Sequence, residues 1–138
     1  MNAEHMLFLV VLLFIMLFII ATGHAYYSYK KHIQDYKFFL QEYRQNGLYV
    51  DNISNVSENF GFAFYYLKIM FFIGLLKNKK MYVEKGMPVE KRCYDYMNNL
   101  PAEQIAWMWN WRVNFFVQAV FFIISISLGY IHSVIYTY

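Results

Sequence analysis

The chain has one cysteine, two prolines and six glycines in 138 residues, and only 15% of its residues are charged. A single Cys93 forms no internal disulfide, so a disulfide-stapled fold, a redox pair and a cysteine metal cluster are without support. The charged fraction lies below the roughly 25% of an ordinary soluble domain. With 59% hydrophobic and 22% aromatic residues, the composition excludes a disordered or collagen-like chain. One domain's length leaves no room for a barrel or for a nucleotide-binding sheet with a second domain. Recognisable chemistry is missing as well: no nucleophile–base pair, glycine-rich phosphate loop, paired-histidine helix motif or acidic metal cluster occurs. The expectation is a protein that is not an enzyme, with no cofactor and no small-molecule substrate.

Two residue types bear on that expectation. Cys93 follows Lys91 and Arg92, and neighbouring cations lower a thiol pKa, but no general base stands beside it in sequence. His5, His24, His32 and His132 are too dispersed for a metal or haem site, which wants its ligands close together.

What the chain has in excess is Phe, Tyr, Met, Ile, Asn and Lys, together 68 of 138 residues, against 18 for Gly, Ala, Arg and Pro. That imbalance follows AT-rich codons, so not every aromatic is there for its chemistry. Two runs nevertheless have membrane length. Met6 to Ala21 is continuously apolar and no charge follows until after Tyr27; Val113 to Tyr136 carries no charged residue at all. About 20 helical residues at ~1.5 Å each cross a ~30 Å hydrocarbon core, so 1–27 and 113–138 are read as two transmembrane helices. Trp107, Trp109 and Trp111 on one side of the second, and Tyr130, Tyr136 and Tyr138 on the other, are read as its aromatic belts. The head Met1-Asn2-Ala3-Glu4-His5 lacks the positive charge of a secretory signal, so the first run is expected to be retained.

All 12 Lys and Arg and eight of the nine Asp and Glu lie between the runs, a balance of +4. By the positive-inside tendency the connecting region faces the cytoplasm or a mitochondrial matrix and both termini face out, in an inner membrane. The balance suits anionic phospholipid. No basic run with interleaved aromatics suggests nucleic acid.

The connecting region reads as an aqueous extension helix over 28–47. Tyr29, Ile33, Tyr36, Leu40 and Tyr43 make one apolar stripe there, for a partner helix of this or another chain. Gly47 is a stop. Residues 48–59 read as a loop, with sequons at Asn52 and Asn55 that carry no weight on a cytoplasmic side. Residues 60–80 read as an interfacial or re-entrant amphipathic helix, a third span being the alternative. Its Lys68 is expected to reach headgroups or an acid, and Lys77, Lys79 and Lys80, with Arg112, to meet lipid headgroups. Residues 81–112 read as turns and short helices on the basic side, one opening at Pro88 with Val89, Cys93, Tyr96 and Leu100 on one face. A last helix then runs from Pro101 with Ile105, Met108 and Trp109 at the surface. The fold class is therefore an all-α membrane protein.

Within the second apolar run Asn114, Gln118, Ser125, Gly129 and His132 recur at helical steps. Small and polar groups on one face of such a helix seek another helix. An ion track would want an acid or lysine in the run, and there is none.

The order of parts, with Phe64 to Leu76, the polar break at Lys77 to Lys80 and Lys91-Arg92-Cys93, resembles the universal stress protein B family of small bacterial inner-membrane proteins. The Trp-rich stretch Trp107 to Trp111 departs from it. The resemblance implies a bacterial cytoplasmic membrane and no chemistry. The functional expectation is a non-catalytic accessory subunit of a larger integral membrane complex, such as a respiratory or ATP-synthase assembly, with other membrane subunits as partners. The alternative is a stand-alone, membrane-perturbing or stress-response homo-oligomer.

Overall fold

The computed structural model describes residues 1–137, leaving the expected belt residue Tyr138 outside them, and the chain is 78% helical. Helix α1 runs from Ala3 to Gln45 without a break, about 64 Å of rod. Asn2 Oδ1 accepts the His5 N–H at 3.0 Å at its start. At its end Gly47, with φ +68°, donates to the Arg44 carbonyl at 2.9 Å; the left-handed residue closes the helix as glycine does most readily. The other long helix, α5, covers Ala102–Tyr136. Both are long and apolar enough to cross a membrane.

The chain divides into two compact units. One consists of Met1–Tyr27 and Val113–Tyr138 and is called here the two-helix unit. Its segments pack antiparallel: the rings of Phe8 and His132 lie 6.0 Å apart, those of Phe14 and Phe121 6.3 Å, and those of Phe18 and Phe122 5.5 Å. The apolar side chains point outward. Ile20 is 64% exposed and Ile123 61%, and the most apolar stretch of each helix has no buried residue.

The other unit, Ser28–Arg112, is the connecting unit. It adds helix α2 (Asn52–Ser57), a 3₁₀ turn at Phe62–Phe64, helix α3 (Tyr65–Leu76), strands β1 (Tyr82–Glu84) and β2 (Met87–Pro88), and helix α4 (Lys91–Asn98). Its core is aromatic. Trp111 is fully buried among Tyr29, Tyr36, Tyr65 and Trp107, with ring centroids 4.9–6.1 Å away. Farther along α1, Phe39 and Tyr43 meet Phe72 at 4.8 and 5.1 Å. Each such pair adds about 0.5–1.5 kcal/mol beyond area burial.

Several expectations from sequence are corrected here. The loop over 48–59 contains α2, because the Asp51 side chain accepts the Ser54 N–H at 3.1 Å and caps a helix too short to show periodicity. The fold is not purely helical: β1 and β2 pair antiparallel around Lys85-Gly86, where Gly86 has φ +83°. Pro88 therefore ends a strand, and α4 opens at Lys91. Trp107 and Trp111 are core residues of the connecting unit rather than a belt, and Ile105 and Met108 are buried rather than superficial. Tryptophans four apart share one helix face, and that face of α5 meets the aromatic stripe of α1. As for a third span, α3 has twelve residues, about 18 Å of a ~30 Å core. Eight of the twelve are buried within the connecting unit.

Candidate functional site

The residues singled out from sequence fall into three places, and a fourth emerges from the fold. The polar seam lies inside the two-helix unit. Gln118 Nε2 donates to Thr22 Oγ1 at 2.9 Å, Asn114 Oδ1 lies 3.2 Å from His24 Nδ1, and the His132 ring is tilted against that of Phe8. Ser125 returns its hydroxyl to the Phe121 carbonyl of its own helix at 2.7 Å. Gly129 is half-buried on the same face and a Cβ there would meet nothing within 4 Å. Asn114, Gln118 and His132 of the seam thus meet the chain's own first helix, while Ser125 bonds within its own.

The stripe on α1 is likewise spent inside the connecting unit. Tyr29, Tyr36, Leu40 and Tyr43 are buried and Ile33 is half-buried. Tyr43 donates its hydroxyl to the Tyr49 carbonyl at 2.7 Å. Burial, and then a hydrogen bond with Cys93, push its pKa well up. Burial does the same for Tyr36 and Tyr65.

Lys68 departs most from expectation. It is 1% exposed, buried among groups of the connecting unit. Its Nζ donates to the Ser57 and Phe60 carbonyls, each at 2.6 Å, and more weakly to the Glu58 carbonyl at 3.4 Å. The Tyr36 ring lies 5.3 Å beneath it. Three ammonium donors meet three carbonyls at and just past the C-terminal end of α2, where a helix presents its negative dipole end. Burial lowers the Lys68 pKa, and the Glu58 carboxylate pulls the other way. The ammonium acts as a rivet holding the α2–α3 junction to α1.

Lys77, Lys79 and Lys80 are exposed, but at the far end of α3 from Ser28 and Arg112. The helix starts beside Trp111 and passes Tyr43 by Phe72. Tyr43 lies fifteen residues along α1 from Ser28, about 22 Å. Arg112 has its guanidinium 5.8 Å from the Trp109 ring centroid.

The fourth place is a cleft of about 320 Å³ within the connecting unit. Asp35, Glu42 and Glu103 line it with His32 and the rings of Phe38, Phe39, Tyr96 and Trp107; no Lys or Arg does. His32 Nδ1 pairs with Asp35 at 2.8 Å. Phe38 is 63% exposed at its mouth. In a unit of +4 balance this is a local reversal of charge around aromatic walls. Asp35 and Glu42 lie off the apolar stripe of α1 and their seven-residue spacing is the signal the sequence offers, since Glu103 comes from a distant segment. Among the described residues no three His, Cys, Asp or Glu side chains are grouped to hold a metal ion. In comparison with known proteins, the chain matches no family model, no curated protein and no solved structure.

Proposed function

We propose that the chain is a non-catalytic accessory subunit of a larger integral membrane assembly, anchored by the two-helix unit and docking its partner through the connecting unit. The stripe is buried within the connecting unit and Asn114 and Gln118 of the seam bond the first helix, which favours another surface for a partner. The observation that carries the reading is the acid-lined cleft, where an exposed Phe38 stands among Asp35, Glu42 and Glu103. An aromatic anchor ringed by charges of one sign is the pattern of an interface hot spot with a steering rim, and it suits a basic, partly apolar segment of another membrane subunit. The concentration of basic residues between the spans supports an inner membrane with this unit on the cytoplasmic or matrix side, both termini outside, and anionic phospholipid near Arg112. The AT-rich composition suits a respiratory or ATP-synthase type of complex.

Purification of the tagged protein from its own membranes in gentle detergent, followed by native mass analysis, tests the reading. Stoichiometric large subunits are expected with the parent chain, and their loss is expected from the Phe38→Ala, Glu103→Lys double variant. A protein recovered alone or as a pure homo-oligomer would overturn the reading in favour of a stand-alone, membrane-perturbing or stress-response protein.

A further inference from the structure

The buried ammonium of Lys68 sits in a site that the backbone builds by its own bonds. Helix α2 turns Ser54 and Ser57 inward and Ile53 and Val56 outward. At its end the chain folds over, so that the Ser57, Glu58 and Phe60 carbonyls converge on one point. Each step of that path is fixed: the Glu58 N–H donates to the Ser54 carbonyl, Asn59 to Val56 and Phe60 to Ser57, at 3.1–3.2 Å. Arg44 of α1 clamps the same segment, holding Asn55 Oδ1 at 2.7 Å and the Glu58 carboxylate at 2.8 Å. The Phe60 ring rests on that of Phe64 at 4.9 Å. Lys68 takes part in none of these contacts, so the ring of carbonyls is organised before the ammonium enters it.

What converges there selects its ligand. A primary ammonium carries three N–H donors and no acceptor, and the site offers it three acceptors, two at 2.6 Å and one at 3.4 Å. The Glu58 carboxylate is turned to Arg44. The charge is therefore met by carbonyl dipoles at the C-terminal end of α2 and by the face of the Tyr36 ring, 5.3 Å from Nζ. A quaternary ammonium brings the charge without the donors, and an alcohol brings a donor without the charge. The stem that delivers the ammonium is buried with it; cut back to Cβ, it leaves a channel one propyl group long that ends at the carbonyls. We propose that the Ser57, Glu58 and Phe60 carbonyls and the Tyr36 ring form a binding site for a primary alkylammonium ion. The native chain fills the site with its own Lys68, and the site accepts a free ion of the same shape once that side chain is shortened. Every group in it belongs to the connecting unit, so it depends neither on the membrane assignment nor on the acid-lined cleft.

The test uses the full chain in mixed micelles near neutral pH, where an alkylamine is protonated, with propylammonium chloride as the probe. Lys68→Ala lacks the three outer methylenes and the nitrogen, which propylammonium replaces atom for atom. In Lys68→Met the thioether fills the channel. The unfolding midpoint is read by near-UV circular dichroism, and amide exchange from Ser54 to Lys68 shows where any gain falls. Expected in Lys68→Ala is a rise of about tenfold in the folded-to-unfolded ratio at roughly 100 mM propylammonium, as for a ligand of about 10 mM affinity. Exchange slows in α2 and the start of α3. The parent and Lys68→Met are expected to gain nothing, and tetramethylammonium chloride and n-propanol to leave Lys68→Ala unchanged. No gain in Lys68→Ala would overturn the proposal. A gain shared by all three proteins, or given equally by tetramethylammonium or n-propanol, would overturn it too, by showing an effect of salt or solvent. Should Lys68→Ala be unfolded on its own, propylammonium is expected to restore its spectrum, and a chain that stays unfolded in the amine would count as the same overturning result.

Discussion

The two units of the chain arrange the same amino acids in opposite ways. In the two-helix unit Ile20 and Ile123 are outside while Gln118 and Thr22 pair inside; in the connecting unit Ile69, Phe72 and Trp111 are inside and every lysine but Lys68 is outside. Apolar surface is stabilising only where the alternative is water. In lipid the drive to bury aliphatic groups between helices is gone, and polar contacts and close packing decide instead. One continuous helix, α1, carries both solutions in turn, and its pattern changes near Tyr27, where the two units divide.

The sharpest way to break this comparison is to make one substitution in each unit. Ile69→Ala removes a side chain with 0% exposure and is expected to destabilise the connecting unit by about 2–5 kcal/mol. Ile123→Ala, 61% exposed, is expected to change stability by no more than about 0.5 kcal/mol. Unfolding in mixed micelles, followed by near-UV circular dichroism, checks both; equal losses would show that the units share one interior. Next in size is Lys68→Met, which keeps the bulk and leaves the Ser57 and Phe60 carbonyls without their donor. Its expected loss is about 1–3 kcal/mol, with faster amide exchange confined to α2 and the start of α3.

The buried phenols give a pH signature of the connecting unit. Tyr36, Tyr43 and Tyr65 have pKa values raised above the ordinary 10 by burial. The unfolded chain thus loses phenolic protons first. Their stabilisation is complete below pH 10 and declines as the pH rises above it. Lys68, shifted down by burial, has the opposite sign: the unfolded chain holds that proton up to about 10.5, so stability gains as pH rises towards that value. The expected profile is level or slightly rising to about pH 10 and then falling. Because the Tyr36 hydroxyl is buried with no hydrogen-bond partner among the described residues, Tyr36→Phe is expected to leave stability unchanged or raise it by about 1 kcal/mol and to flatten the alkaline decline. A loss of stability would reveal a partner for that hydroxyl. The smallest effect belongs to Gln118→Leu, which deletes the bond to Thr22 and is expected to weaken the helix pair by about 0.6 kcal/mol. Steric trapping in bicelles would register it, and a loss comparable with that of Ile69→Ala would contradict a lipid-like surrounding.

Periodicity made some of this legible in sequence. The stripe from Tyr29 to Tyr43 and the seam from Asn114 to His132 stand out because each contrasts with its own background, apolar among charges in one case and polar among aliphatics in the other. Lys68 was unreadable for a physical reason: its partners are backbone carbonyls, which any sequence supplies, so no side-chain pattern announces them. Trp107 and Trp111 were ambiguous because tryptophan at the end of an apolar run suits a membrane interface and a protein core equally. The acid-lined cleft joins Asp35 and Glu42 to Glu103, more than sixty residues away, and only the closed fold brings them together. Helix α2 failed as a pattern because its outward face is the apolar one.

The closing of the connecting unit also has a timing. Trp111 donates to the Ser28 carbonyl across 83 residues of chain, so the row Tyr29, Tyr36 and Tyr43 is synthesised long before the tryptophan that covers it. At about 5–20 residues per second this interval is roughly 4–17 s. Through that interval a nascent α1 displays an uncovered aromatic ridge, and whatever shelters the ridge on the ribosome or at the membrane governs how much chain reaches the folded state.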